Sequence, residues 1–198
     1  MKGIFLTLGI LASIISFGQS WTEEQIDSAD TGKDIEYLAE SEKDAIMYIN
    51  LARLYPKQFL QLELEDYYGT EKYGEYLKES KYRRSLIGKL KTMKPVQVLL
   101  FDPVLYENAK CFAKEMGKSG YVGHKRKTCK RGNYAECCSY GMDDGKDIAM
   151  QWLIDDKVPS LGHRINCLNP AYSRIGLSAY THKVHEYCAV AELSGPGF

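Results

Sequence analysis

Two of the four histidines in this sequence directly follow a glycine. They are His124, after Gly123, and His163, after Gly162. A glycine lets the backbone turn and leaves the next imidazole accessible, and loops on a rigid scaffold often carry functional residues. Imidazoles bind divalent cations and transfer protons near neutral pH. A single loop histidine is more often a surface residue, but two with carboxylates nearby indicate a candidate site.

Two carboxylates are candidates to act with these histidines. Glu136 lies between small or apolar neighbours, and a partly buried carboxylate needs a partner such as a protonated or metal-bound histidine. The alternative is that Glu136 accepts backbone hydrogen bonds and only braces its loop. Asp155 follows Trp152 by three residues, so on a helix it lies at the edge of the same face. We expect Asp156 to project into solvent.

The sequence contains neither a G-x-S-x-G elbow nor an H-E-x-x-H helix, the signatures of two large hydrolase classes. Ser160 lies three residues before His163, but a serine after a proline is typical of a turn or a helix cap. The formal net charge of zero gives no indication of a nucleic-acid partner.

A basic run separates the first histidine from the first glutamate. It consists of Lys125, Arg126, Lys127, Lys130 and Arg131. Such runs usually lie in solvated loops, which is the interpretation we favour. The alternative is that the run attracts an anionic partner, such as a phospholipid head group or an acidic glycan.

The six cysteines all lie in the second half of the chain. An even number in an exported protein favours disulfides over metal thiolates, although the sequence does not choose the pairing. Adjacent Cys137 and Cys138 are expected to bond to different partners, because a bridge between neighbours strains the peptide. Cys167 and Cys188 are candidate mates. A less favoured alternative is a zinc site formed by Cys129, Cys137 and Cys138.

The first residues predict export. Residues 3–17 form an apolar run after Lys2, and Ser16 and Gly18 have the spacing that a signal peptidase recognises. We therefore predict a signal peptide over residues 1–18, with cleavage before Gln19. The run is short for a membrane span, so an N-terminal anchor is the less favoured alternative. The expected product is secreted or periplasmic and is not an integral membrane protein.

Apolar spacing predicts the elements that would position these residues. Residues 19–39 have no sustained periodicity and suggest a flexible arm, whereas 40–198 are long enough for one domain. Helices are predicted over residues 42–54, 86–92, 103–117, 145–155 and 163–167. Ser41 is the expected N-cap of the first helix and Asp102 that of the third. Residues 64–84 are either a charged loop or a short exposed helix.

Alternating residues predict two final strands, around residues 175–179 and 187–191, with a turn at 181–183. His182 and His185 fall at this hairpin and are expected on a solvated surface. Helices followed by a hairpin favour an α+β domain in which helices cover an antiparallel sheet.

Residues 149–175 resemble the SCP-like domain of the CAP superfamily, which includes cysteine-rich secretory proteins, insect venom antigen 5 and plant pathogenesis-related proteins. The similarity to its bacterial branch rests on Gly162-His163-Arg164, Asn166, Leu168, Pro170, Tyr172 and Ile175-Gly176. Gly123-His124 and Ala135-Glu136 stand where the family has its first histidine and first glutamate. The likeness covers roughly residues 40–193.

The resemblance implies a three-layer α-β-α sandwich with a central antiparallel sheet and a cleft lined by His124, Glu136, Asp155 and His163. The chain departs from the family pattern in three places. Cys137 follows Glu136 where an asparagine is common, Asp155 replaces a more usual glutamate, and residues 64–95 look like an insertion.

Two facing imidazoles suit weakly bound zinc, with His124 and His163 as ligands and the carboxylates behind them. The resemblance favours a secreted binding or interaction module whose partner is a lipid, a glycan or a protein. The first alternative is a secreted hydrolase that uses the histidine/glutamate cleft, with or without metal. The second is a structural protein in which the four residues form only a polar brace.

Overall fold

The computed structural model describes residues 20–196, so the predicted signal peptide lies outside the described residues. The helices are α1 (Glu23–Ala29), α2 (Glu40–Leu54), α3 (Pro56–Phe59), α4 (Lys81–Thr92), α5 (Pro103–Ser119), α6 (Gly145–Ile154) and α7 (Gly162–Cys167). The strands are β1 (Leu100–Phe101), β2 (Ala135–Tyr140), β3 (Arg174–His182) and β4 (Glu186–Ser194). Among residues 20–196, no helix combines the length and apolar character needed to cross a bilayer.

The strands form one sheet in the order β1-β3-β4-β2. The pairs β3–β4 and β4–β2 are antiparallel, whereas the two-residue strand β1 runs parallel to β3. The hairpin of β3 and β4 is present, with its turn at 183–185 instead of 181–183. The sequence analysis missed β2, because both of its faces are buried and its residues show no polar–apolar alternation.

Helices cover both faces of the sheet, which confirms the α+β sandwich. Helix α5 packs on β3 and β4 on one face, around Phe112 and Met116. On the other face α2, α6 and α7 enclose the larger core, which contains Trp152. The cleft described below opens where β2 meets α6 and α7.

Helix α5 follows its local signals. The Asp102 carboxylate accepts hydrogen bonds from the N–H groups of Val104 and Leu105, at 2.9 and 3.1 Å, and Gly120 ends the helix in the left-handed conformation. The helix lies very close to β3. A Cβ atom on Gly176 would stand 1.9 Å from the backbone nitrogen of Tyr106, so only glycine permits this approach.

Helix α2 begins two residues earlier than predicted, with Ala39 as its N-cap. The prediction that Ser41 is the N-cap of this helix is therefore wrong. Buried Glu42 instead accepts a hydrogen bond from the Ala39 N–H at 3.0 Å. Its other oxygen accepts from Ala179 N–H at 2.8 Å and from the Ser178 hydroxyl at 3.0 Å. The carboxylate therefore fixes the start of α2 against β3, a contact that the local sequence does not reveal.

The segment described as a flexible arm contains α1, which corrects that expectation. Thr22 and Gln25 form a reciprocal capping box at its start. Ala29 at its end is fully buried, and its carbonyl accepts a hydrogen bond from Asn50 of α2 at 2.9 Å. The residues before α2 are thus packed onto the domain.

The apparent insertion forms an ordered wall beside the cleft. After α3, residues Leu60–Leu64 make one turn of π-helix and a loop follows to Ser80, which caps α4. The Arg83 side chain donates to the carbonyls of Tyr67 and Leu64, at 2.7 and 2.9 Å, and holds this loop in place. Helix α4 starts at Lys81, five residues before the predicted start.

Candidate functional site

The first histidine–acid pair joins the loop before β2 to β2 itself. His124 Nδ1 lies 2.7 Å from Glu136 Oε1. The side chain of His124 is 48% exposed, whereas that of Glu136 is only 4% exposed. Gly123, with a φ of 130°, allows the backbone turn that brings the imidazole over the strand. The pair therefore combines an accessible ring with a buried carboxylate.

The second pair joins α6 to α7. His163 Nδ1 lies 2.7 Å from Asp155 Oδ1, and the other carboxylate oxygen accepts from the backbone N–H groups of His163 (3.0 Å) and Arg164 (3.3 Å). Asp155 is the C-cap of α6 in the left-handed conformation, with a φ of 56°, which short polar side chains tolerate. One buried aspartate thus ends one helix, caps the next and orients the imidazole.

The two imidazoles face one another across the cleft. Their centroids are 6.3 Å apart and the ring planes are tilted by 33°. Because each Nδ1 contacts a carboxylate, we assign the proton of each neutral ring to Nδ1. The Nε2 lone pair of His124 and of His163 is then the one available to a ligand.

Arg126 supports the first pair from beneath and is not part of a solvated loop. Its side chain is 4% exposed, donates to the carboxylates of Glu136 and Glu192, and lies over the Phe112 ring at 4.4 Å. The solvated-loop interpretation is therefore wrong for this residue. The other four residues of the basic run are exposed: Lys125, Lys127, Lys130 and Arg131.

The two glutamates beside Arg126 have opposite pKa shifts. Burial tends to raise the pKa of Glu136, but the hydrogen bonds from His124 and Arg126 outweigh it and lower the pKa. Burial, together with the charge of Glu136, raises the pKa of Glu192 to about 8. Glu192 was not predicted as a site residue. Its one sequence signal is a carboxylate that directly follows the apolar run of residues 188–191.

The cleft around these pairs has a volume of about 480 Å³. The insertion supplies Tyr76 and Leu77 to its wall, and Val122 and Ile154 add apolar surface. Asp156 also lines the cleft and accepts a hydrogen bond from the Ser80 hydroxyl at 2.5 Å. The expectation that Asp156 projects into solvent is therefore wrong.

The cysteines correct two expectations. Cys111 and Cys129 form a disulfide, whereas the other four cysteines are free thiols: Cys137, Cys138, Cys167 and Cys188. The proposed Cys167–Cys188 pairing is wrong, because these residues belong to cores on opposite faces of the sheet. The alternative zinc site that includes Cys129 is also wrong, since this sulfur is already bonded.

The disulfide fixes the basic loop to α5 and thereby positions Arg126. One helical turn after Cys111, Glu115 accepts hydrogen bonds from the N–H groups of Lys127 (2.7 Å), Thr128 (2.7 Å) and Cys129 (3.1 Å). Burial opposes ionisation of Glu115, but these contacts and the Thr128 hydroxyl lower its pKa to about 2.

One further group of ligand atoms lies close together. His124, Glu136 and Cys138 offer atoms that all lie within 4.8 Å of one another. However, His124 and Arg126 already engage the two oxygens of Glu136, and burial raises the pKa of the Cys138 thiol. A cation at this position would displace those contacts, so the facing Nε2 atoms are the better donors.

The hairpin histidines lie outside this cleft. His182 is 3% exposed, which corrects the expectation of a solvated side chain. Its Nε2 lies 3.1 Å from the Tyr121 carbonyl, and its Nδ1 accepts from the N–H groups of Val184 (3.2 Å) and His185 (3.1 Å). His182 therefore braces the turn, whereas His185 is exposed as expected.

The chain was compared with known protein families, curated proteins and solved structures. The family model for CAP, the cysteine-rich secretory protein family, matches residues 48–192. No curated protein and no solved structure gave a significant match. The matched range contains both histidine–acid pairs and the sheet except for the last two residues of β4.

Proposed function

This chain belongs to the CAP family of cysteine-rich secretory proteins, and we propose that it is a secreted binding module whose cleft weakly holds a divalent cation, preferably zinc. The observation that carries the proposal is the pair of facing imidazoles, 6.3 Å apart between centroids, each with Nδ1 engaged by a carboxylate. His124 and His163 would bind the cation through Nε2. The disulfide supports an oxidising destination.

The donor set fits zinc in chemistry. Neutral imidazole nitrogen is a common zinc ligand, and a carboxylate on the other ring nitrogen raises its basicity and fixes its orientation. Glu136 and Asp155 would serve in that supporting role. Two protein ligands leave coordination positions open, so we expect weak binding and exchange with solvent or with a ligand.

The cleft walls indicate what such a ligand contains. Apolar surface from Tyr76, Val122 and Ile154 lies beside the two histidines. We propose that the partner, whether lipid, glycan or protein, places an oxygen donor on the cation and a nonpolar group against this wall. Desolvation of the nonpolar group would supply affinity, and the cation would supply orientation.

Calorimetric zinc titration tests the proposal. We expect the His124→Ala/His163→Ala variant to lose the heat of binding that the wild-type chain gives. His185→Ala, which removes an exposed histidine outside the cleft, is the matched control and should bind as the wild type does. Equal zinc uptake by the wild type and the double variant would refute the site.

A hydrolase is the second candidate function, favoured by the His124–Glu136 contact of 2.7 Å. This geometry leaves Nε2 of His124 free to accept a proton from water. Peptide and ester substrates should be screened with metal chelated and restored. Metal-dependent turnover that is lost in Glu136→Gln would support the hydrolase. The absence of turnover under both conditions would support the binding module.

A further inference from the structure

The sheet separates the four free thiols into two pairs. Neighbouring residues of a strand point to opposite faces, so Cys137 and Cys138 enter different cores. Cys137 shares the larger core with Cys167 of α7, and Cys138 shares the smaller one with Cys188 of β4. Because the backbone of the sheet lies between them, a bond can form only within each pair.

Cys138 and Cys188 are poorly placed for a bond. In the register of β2 and β4, Cys138 lies opposite Val190 and Cys188 lies opposite Tyr140, so the two cysteines are diagonal neighbours. Diagonal residues of an antiparallel pair are about 7–8 Å apart, more than a disulfide normally spans between Cβ atoms. Cys188 Sγ lies 3.5 Å from the Ala113 carbonyl, against α5.

Cys137 and Cys167 lie in the larger core, where the Cys137 sulfur packs against the helix that ends at Cys167. Both residues are fully buried in the same core, and interaction with the Cys167 thiol contributes, after burial, to the raised pKa of Cys137. The surroundings hold the Cys137 sulfur at this position, since it lies 3.8 Å from the His163 carbonyl and 3.8 Å from Asn166 Nδ2. Both of these groups belong to α7, the helix that ends at Cys167.

We propose that Cys137 and Cys167 form a second disulfide, which joins β2 to α7 when the chain folds in an oxidising compartment. The oxidant is a disulfide, either of a thiol oxidoreductase or of glutathione. One cysteine thiolate attacks it and forms a mixed disulfide as one oxidant thiolate leaves. The second cysteine thiolate then attacks the protein sulfur of that bond and expels the other oxidant thiolate. Both cysteines lose their protons, and two electrons reduce the oxidant to thiols.

This bond would connect the two halves of the cleft. Cys137 directly follows Glu136 on β2, and Cys167 lies one helical turn after His163 on α7. A bridge between them fixes the strand of one histidine–acid pair relative to the helix of the other. The separation of the two imidazoles would then depend on a covalent link as well as on packing.

Burial determines when the bond forms. Neither cysteine is accessible in the folded chain. An inaccessible thiol reacts slowly, so the bond forms while β2 and α7 are docking. Once it is enclosed, the same burial protects it from external thiols.

Thiol mapping tests the proposal without reference to metal or ligand binding. Reduced, denatured protein is refolded in a mixture of reduced and oxidised glutathione, denatured without reductant, alkylated and digested. We expect linked peptides for Cys111–Cys129 and Cys137–Cys167, with alkylation of Cys138 and Cys188 alone. Alkylation of both Cys137 and Cys167, or a bond from either to another cysteine, overturns the proposal.

Two variants separate this bond from the established one. Cys188→Ser should keep both linked peptides, whereas Cys137→Ala/Cys167→Ala should keep only Cys111–Cys129. Under oxidising conditions the double variant should melt about 5–10 °C below the wild type, and reduction should narrow that difference. A difference that reduction leaves unchanged would also overturn the proposal.

Discussion

The Asp155 carboxylate contacts His163 twice, at the imidazole Nδ1 (2.7 Å) and at the backbone N–H (3.0 Å). The same contacts that orient the ring therefore cap the helix that carries it. The other histidine is positioned differently. The Glu136 carboxylate that holds His124 is itself held by Arg126, whose second carboxylate partner is Glu192 on β4. In each half of the cleft, the carboxylate that orients the imidazole also stabilises the local structure around it.

Asp155→Asn should separate the two roles of this residue, which are to cap α7 and to polarise the His163 imidazole. Asparagine keeps a short side chain that tolerates the left-handed backbone and can still accept the N–H of His163. Its neutral amide polarises the imidazole less than a carboxylate does. We expect zinc affinity to fall by about 10-fold, with a change in unfolding free energy below about 1 kcal/mol. Calorimetry and urea unfolding measure the two quantities.

Asp155→Ala is the comparison, because it removes both roles. This variant should lose zinc affinity and in addition about 1–2 kcal/mol of stability, since the first N–H groups of α7 lose their acceptor. If Asp155→Asn were as unstable as Asp155→Ala, the separation of roles would be incorrect.

Arg126→Met should be strongly destabilising. The guanidinium contacts buried Glu136 and Glu192, and its removal would leave the charge of buried Glu136 uncompensated. We expect a loss of about 3–5 kcal/mol in unfolding free energy, measured by urea denaturation. Lys125→Met, at an exposed neighbouring position, is the control and should change stability by less than about 0.5 kcal/mol. Equal losses in the two variants would contradict the network.

Glu192 should make the folded chain less stable as the pH rises. Its pKa is about 8 in the folded state against 4.5 as the ordinary value, so the folded state retains a proton that the unfolded state releases. The stabilisation that Glu192 contributes is then fully present below pH 4.5 and is lost progressively as the pH rises to about 8. The slope from this group is at most about 1.4 kcal/mol per pH unit.

Glu192→Gln provides the measurement. Glutamine is neutral at every pH and resembles the protonated glutamate, so the variant should lose this part of the pH dependence. Urea unfolding at several pH values between 5 and 8 gives both curves, and histidine contributions cancel in their difference. Parallel curves would show that Glu192 ionises in the folded chain as it does in water.

Gly176→Ala should disrupt the contact between α5 and β3. The new methyl group would stand 1.9 Å from the backbone nitrogen of Tyr106, which cannot move without shifting the helix. We expect a loss of about 1–3 kcal/mol and a lower Tm. Gly88→Ala is the control, because a Cβ atom there meets nothing within 4 Å and α4 gains a better helix former. That variant should be neutral or more stable, and a loss as large as that of Gly176→Ala would contradict the steric explanation.

The sequence by itself determined the features that neighbouring residues encode. Asp102, Pro103 and Gly120 set the limits of α5, because caps act within a single turn of the chain. The glycine–histidine pairs and the resemblance over residues 149–175 identified the family that the family model confirms.

Only the tertiary structure shows which distant residues pair with the buried charged side chains. Arg126 looks like one member of a solvated basic run, yet its partner Glu192 lies 66 residues away. Glu42, and not Ser41, fixes the start of α2. Its carboxylate accepts hydrogen bonds from N–H and hydroxyl groups of β3, more than 130 residues later in the chain. A buried charge must find partners, and those partners come from whichever elements the fold brings together, so sequence spacing does not report them.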